Sequence, residues 1–236
     1  LNSKSLIIIP TYNEKENVES IINTVLQLDN DFNILIVDDG SPDGTAAIVK
    51  QMQLQNNRIF LLQREGKQGL GTAYIAGFKY GIENNFDLIF EMDADFSHPP
   101  QKLIELKNAC LNGADIAIGS RYIKGGKLEN WPLDRIMMSK GASMYVRLIT
   151  GIPVMDTTAG FVCYKRNVLC AINLNTIQFI GYAFQIEMKY KAWKAGFKLV
   201  EVPITFKDRE MGNSKMSAGI FSEAFSGVWK MRFGKQ

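Results

Sequence analysis

A single histidine, His98, stands in the 236 residues, and the three cysteines, Cys110, Cys163 and Cys170, form no C-x-x-C pair. With one histidine and no G-x-S-x-G elbow, nucleophilic hydrolysis is disfavoured. An odd, scattered set of thiols suggests neither a disulfide framework nor a zinc site, so a reducing cytoplasm is the expected setting. No apolar run approaches the roughly 18 residues of a membrane span. A charged-then-apolar leader is also lacking, and no signal peptide is expected. Charge of one sign is missing too: 27 Lys and Arg against 24 Asp and Glu leave +3, too mild to demand a nucleic-acid partner. There is no Walker loop. Gly69-Leu70-Gly71 lacks the third glycine of the dinucleotide fingerprint, and Pro-Thr-Tyr-Asn-Glu follows the first apolar run where glycines would stand.

What is present is alternation. Apolar runs at Leu6–Ile9, Ile34–Val37, Ile59–Leu62, Leu88–Met92 and Ile116–Ile118 read as strands buried on both faces, each of the first four followed by a helical stretch. Five strands in residues 6–118 imply an α/β fold with a parallel, doubly wound sheet and right-handed crossovers. Asn13 with Glu16 resembles a capping box ahead of the stripe Val18, Ile21, Ile22, Val25 and Leu26. Gly71, Ala73, Ala76, Gly77 and Gly81 suggest that the third helix packs closely despite their propensity cost. Beyond Gly125-Gly126 the pattern is less regular: helices over 133–149 and 184–195, strands over 160–164 and 199–202. At 46% hydrophobic residues the chain can bury a sizeable core. The expected division is a domain over 1–215 and a C-terminal amphipathic helix over 216–236. In that helix Ile220, Phe221, Ala224, Phe225, Val228 and Trp229 recur at helical spacing, with Lys230, Arg232 and Lys235 at its end. It either docks on its own domain or lies on a membrane surface, leading to a further segment or an anchoring partner.

Carboxylates gather where such strands end. Glu14 follows the first strand, Asp38 and Asp39 the second, and Asp93 and Asp95 the fourth; in a parallel sheet these loops open on one edge. Residues at i and i+2 of an extended segment point the same way, so Asp93 and Asp95 can offer two hard oxygens to one divalent cation beside a diphosphate. His98 is either a metal ligand or a capping and packing residue, with the second expected. Phe161, Phe179, Phe184, Trp193 and Phe206 read as core rather than a lipid groove.

Taken in order, Pro10-Thr11-Tyr12-Asn13-Glu14, Val37 to Thr45, Lys67 to Gly71, Asp93-Ala94-Asp95, Gly119-Ser120-Arg121-Tyr122 and Arg209-x-x-Gly212-x-Ser214-Lys215 resemble the ordered motifs of family 2 glycosyltransferases. More narrowly the set is similar to the dolichol-phosphate (polyprenol-phosphate) mannosyltransferases. The resemblance spans residues 6–216 and implies a GT-A fold, a doubly wound, mostly parallel sheet with the nucleotide site at the strand carboxyl ends. It implies GDP-mannose as donor, Mg²⁺ or Mn²⁺ as cofactor, a polyprenyl phosphate acceptor and peripheral contact at the cytoplasmic membrane face. Carried over by motif, Pro10, Tyr12 and Glu14 would hold the guanosine and Val37 and Asp39 line the nucleoside pocket. Asp93 and Asp95 would hold the metal, with Ala94 against the donor. Arg121, Arg135, Arg209 and Lys215 would face the donor diphosphate and acceptor phosphate, with Asp95, Arg121 and Arg135 catalytic. Some relatives place a Gln two residues after the second aspartate as a further metal ligand; here Ser97 stands there. Two other readings remain open: a UDP-sugar donor carrying glucose or N-acetylglucosamine, and a nucleotidyltransferase or nucleotide-binding module.

Overall fold

A computed structural model describes residues 3–208 and 227–233. Arg209, Gly212, Ser214, Lys215, Ile220, Phe221, Ala224, Phe225 and Lys235, all singled out above, lie outside the described residues. The first half follows the alternation: β1 (Ser5–Thr11), α1 (Val18–Leu28), β2 (Phe32–Asp38), α2 (Thr45–Gln55), β3 (Ile59–Gln63), α3 (Leu70–Glu83), β4 (Leu88–Glu91), α4 (Lys102–Leu111) and β5 (Ile116–Ser120). Then come β6 (Lys127–Glu129), α5 (Leu133–Thr150), β7 (Val162–Lys165), α6 (Arg166–Ala171), α7 (Tyr182–Lys194), β8 (Leu199–Pro203) and β9 (Thr205–Lys207). Residues 227–233 are helical.

The seven-stranded sheet has the order β3-β2-β1-β4-β7-β5-β8, and β6 pairs with β9 in a separate two-stranded sheet. All pairings in the large sheet are parallel except those of β7, which runs antiparallel between β4 and β5. The consecutive strands β4 and β5 are therefore not neighbours. The inner strands are apolar on both faces because each face is covered: Ile7, Ile9, Ile34 and Phe90 pack with α1 and α4 in one cluster. Leu6, Ile8, Leu35 and Ile89 pack with α3 and α7 in the other. Each such side chain contributes about 1.5–3 kcal/mol relative to leaving it in water.

β1 runs past the apolar stretch Leu6–Ile9 and includes Pro10. The ladder between β1 and β4 finishes with the Met92 N–H donating to the Ile8 carbonyl at 3.1 Å, where the missing N–H of proline breaks nothing. Close packing of α3 follows from its glycines. A Cβ on Gly77 would sit 2.6 Å from Ile8 Cγ2, and one on Gly81 2.7 Å from Ile89 Cδ1. The capping box is not formed: α1 begins at Val18, with Asn17 at the N-cap making no side-chain cap. Asn13 adopts φ of 59°, a region Asn tolerates, and donates its N–H to Ser41 Oγ at 3.0 Å. A tertiary contact between loops outcompetes the local motif.

Candidate active site

The loops after β1 and β2 are laced together on the carboxyl edge of the sheet. Asp38 closes β2 fully buried, accepting from Thr11 Oγ1 at 3.0 Å, the Ser41 N–H at 3.0 Å and Ser41 Oγ at 2.6 Å. Asp43 accepts from Thr45 Oγ1 at 2.6 Å and from the amides of Thr45 and Lys15, each at 3.0 Å. Burial pushes the Asp43 carboxyl up, but these hydrogen bonds, Thr45 foremost, hold it below its ordinary value. Glu14 is drawn in as its N–H donates to Thr45 Oγ1 at 3.1 Å, and its carboxylate accepts from Asn17 Nδ2 at 3.0 Å. Asp38 and Asp43 thus act as loop anchors. Asp39, one residue on and pointing the other way, pairs with Arg64 at 2.6 Å, and Arg64 Nη1 donates to Thr72 Oγ1 at 2.8 Å. Lys67 stands 5.4 Å over the Tyr12 ring. Pro10, Tyr12, Glu14, Val37 and Asp39 therefore come together at one end of β1 and β2.

Beside them β4 ends at Glu91, and Asp93, Ala94 and Asp95 follow. The Asp93 side chain is 37% exposed, whereas that of Asp95 is buried and takes the Ser97 N–H at 3.1 Å. Tyr74 Oη donates to Asp93 Oδ1 at 3.3 Å, and burial raises this phenol well above its ordinary value. His98 Nδ1 accepts the Asp93 N–H at 3.1 Å, and its ring stacks on Phe161 at 5.0 Å. Burial lowers the imidazole pKa against the opposing pull of Asp93 and Asp95, which keeps the ring neutral. With Nδ1 occupied and the ring packed, His98 is the capping residue expected of it. Two carboxylates of hard oxygens suit Mg²⁺ or Mn²⁺, which are usually held by one or two carboxylates together with substrate phosphates. Among the described residues no group of three or more His, Cys, Asp or Glu could hold a metal alone. Ser97 Oγ, where some relatives carry Gln, is buried without a hydrogen-bond partner.

On the other side stand the arginines. Arg121 follows β5 and grips the fully buried Asp156 with Nε at 2.7 Å and Nη2 at 2.6 Å, while its own N–H adds a third bond at 3.0 Å. Thr158 Oγ1 accepts from Nη2 at 2.9 Å. Arg135, on the first turn of α5, donates to Asp208 at 3.1 Å and lies 3.9 Å over the Trp131 ring. His98, which holds the Asp93 amide, packs against Phe206 at 5.4 Å, and Arg121 lies 5.6 Å over the same ring, so the two sides meet there. Asp156, Trp131, Asp208 and Arg64 escaped the sequence reading. The stretch Asp156-Thr157-Thr158-Ala159-Gly160 before a buried strand carried a usable signal, since it has the turn formers and carboxylate that mark Asp38 to Thr45. Behind this segment, burial pushes Glu91 up to about 8 against the pull of Lys189. Burial likewise lowers Lys189 to about 8 against the pull of Glu91.

The profile of the family described as "Glycosyl transferase family 2" matches residues 6–172. Polyprenol monophosphomannose synthase of Mycolicibacterium smegmatis is 46% identical over 232 residues, covering 97% of this chain and 88% of that protein. Undecaprenyl-phosphate mannosyltransferase of Micrococcus luteus is 44% identical over 223 residues, covering 94% and 91%. Among solved structures, glucosyl-3-phosphoglycerate synthase from Mycobacterium tuberculosis, in complex with Mn²⁺, UDP and glucosyl-3-phosphoglycerate, superposes with a TM-score of 0.72. It shares 15% identity, and the match covers 99% of this chain and 81% of that one. The shared architecture is the GT-A fold.

Proposed function

The chain belongs to glycosyl transferase family 2, and from that premise we propose that it transfers mannose from GDP-mannose to a polyprenyl phosphate with inversion. The observation that carries this reading is that the Asp93/Asp95 pair shares its sheet edge with Arg121, whose neighbour across the Trp131 ring is Arg135 of α5. The names of the two mannosyltransferase relatives support the sugar and the acceptor class. Asp93 and Asp95 would hold a divalent ion, which when bound supplies Lewis-acid stabilisation of the departing diphosphate. Tyr12, Asp39, Arg64 and Lys67 border the nucleoside, while Ala94 lies against the donor.

The acceptor phosphate oxygen attacks the anomeric carbon as its bond to the β-phosphate breaks, and the nucleoside diphosphate leaves. A phosphate monoester has a second pKa near 6, so its dianion is abundant at neutral pH and no side chain needs to take a proton. Arg135 offers a planar guanidinium to that phosphate, and Arg121 is held beside it by Asp156. Arg209 and Lys215, outside the described residues, belong by motif to the diphosphate.

The acceptor comes from a lipid layer, and α5 has a surface suited to one. Leu133, Met137, Met144 and Leu148 are each at least 60% exposed along one helix face, with Lys140 and Arg147 beside them. Trp229 and Phe233 add a second exposed apolar pair at a ring separation of 5.2 Å. An apolar stripe with basic flanks fits the surface of an anionic bilayer. No helix among the described residues is long and apolar enough to cross one. Calorimetric titration of GDP and UDP, with and without Mn²⁺, tests the donor side. The reading expects metal-dependent binding with GDP preferred, and preference for UDP would overturn the donor assignment.

A further inference from the structure

Lys189 on α7 has no role in the transfer just described, yet it is fully buried. Its ammonium donates to the Ala159 carbonyl at 2.6 Å, the Gln185 carbonyl at 3.0 Å and Gln185 Oε1 at 3.3 Å. On β4 stands Glu91, also fully buried, whose charge acts on Lys189 and whose neighbouring polar groups are Tyr164 Oη and Gln185 Nε2. A buried cation is costly to desolvate, and one buried carboxyl nearby does not by itself explain why it is kept.

What the ammonium reaches is the segment 156–160, whose other ties run to the site on two sides and to β8. Asp156 and Thr158 hold Arg121. The Asp156 and Met155 amides donate to Glu201 on β8 at 3.0 and 2.8 Å. Phe161, next in the chain, stacks on His98, whose Nδ1 holds the Asp93 amide. The Ala159 carbonyl lies between these two branches.

We propose that Lys189 is a positioning residue: by holding the Ala159 carbonyl it fixes the segment 156–160, and so sets Arg121 on the acceptor side against Asp93 on the metal side. The inference rests on the transfer reading for the roles of Arg121 and Asp93. The competing view is that Lys189 only compensates the charge of Glu91.

The two views separate in the double variant Glu91→Gln/Lys189→Met, which removes both charges and keeps the volume. Positioning predicts a Tm closer to wild type than that of Lys189→Met alone, while kcat stays about 10- to 100-fold down in both. Donor affinity is retained, and the amides of residues 156–160 exchange faster than in wild type. Recovery of both Tm and kcat would overturn the proposal. Glu91→Gln alone leaves Lys189 on the Ala159 carbonyl and is expected to keep kcat and amide protection. Loss of either in that variant contradicts the proposal whether or not the double variant folds. Amide exchange is read without any chemistry, so the positioning claim stands or falls separately from the identity of donor and acceptor.

Discussion

In the half of the sheet made by β3, β2, β1 and β4, the loop carboxylates are held mainly by amides and hydroxyls. Asp38 and Asp43 each take three such bonds. In the half that carries β7, β5 and β8, the loops are held by guanidinium pairs reaching far along the chain, Arg121 to Asp156 over 35 residues and Arg135 to Asp208 over 73. The two halves are therefore vulnerable in different ways. Many neutral donors share the burden in the first, so single losses are modest. In the second a buried ion pair is a principal tie of its segment, and removing a partner leaves a charge stranded.

Asp156→Ala is the severest test of that contrast. It strands Arg121, whose side chain is 9% exposed, and is expected to cost about 3–5 kcal/mol of stability and nearly all transfer. A loss below about 1 kcal/mol in urea unfolding would place the pair among weak surface bridges. Asp95→Ala should lower kcat by about 10²–10³ through lost transition-state stabilisation, while Tm moves little. A large Tm drop would make Asp95 a loop anchor like Asp38. Asp38→Ala is expected to cost about 1–3 kcal/mol, with donor affinity falling as the Asn13–Ser41 contact loosens. Unchanged affinity would separate that anchor from the nucleoside loop.

The smallest effect lies on the opposite edge, where Lys107 on α4 bridges Asp29 and Asp31 at 2.7 and 3.1 Å. Burial raises Asp29, but the Lys107 hydrogen bond and the Asp31 amide hold it below 3.8. Burial lowers Lys107, but its two aspartates hold it above 10.5. A lowered carboxyl stabilises above its unfolded value and loses that contribution as pH falls through its folded one. A raised lysine stabilises below 10.5 and loses that contribution at higher pH. Lys107→Met should therefore cost about 1 kcal/mol at pH 7, and the difference from wild type should close below pH 3.8, with activity untouched. A difference that persists in acid would assign the cost to packing.

The same contrast governs what could be read in advance. Leu6–Ile9, Ile34–Val37 and Leu88–Met92 announce themselves because a strand covered on both faces must be apolar throughout, and the loops following them inherit their edge from topology. Nothing local says that Val162 to Lys165 runs antiparallel between β4 and β5, since three apolar or neutral residues and a lysine fit either direction. Three-residue strands such as Lys127–Glu129 are too short to show a period. Asp38 and Asp39 look alike in sequence, yet alternation turns one into the loop and presents the other to Arg64. Arg121 was visible as a cation, but its fixation by Asp156 and Thr158 exists only once distant segments meet.

Donor, acceptor and metal are read together in one experiment: transfer of radiolabelled sugar to a short polyprenyl phosphate in the presence of Mg²⁺ or Mn²⁺, from GDP-mannose and in parallel from UDP-glucose. Labelled lipid from GDP-mannose, lost on chelation and in Asp95→Ala, is the predicted result. Product from UDP-glucose alone, or nucleotide binding with no lipid product from either donor, would contradict it.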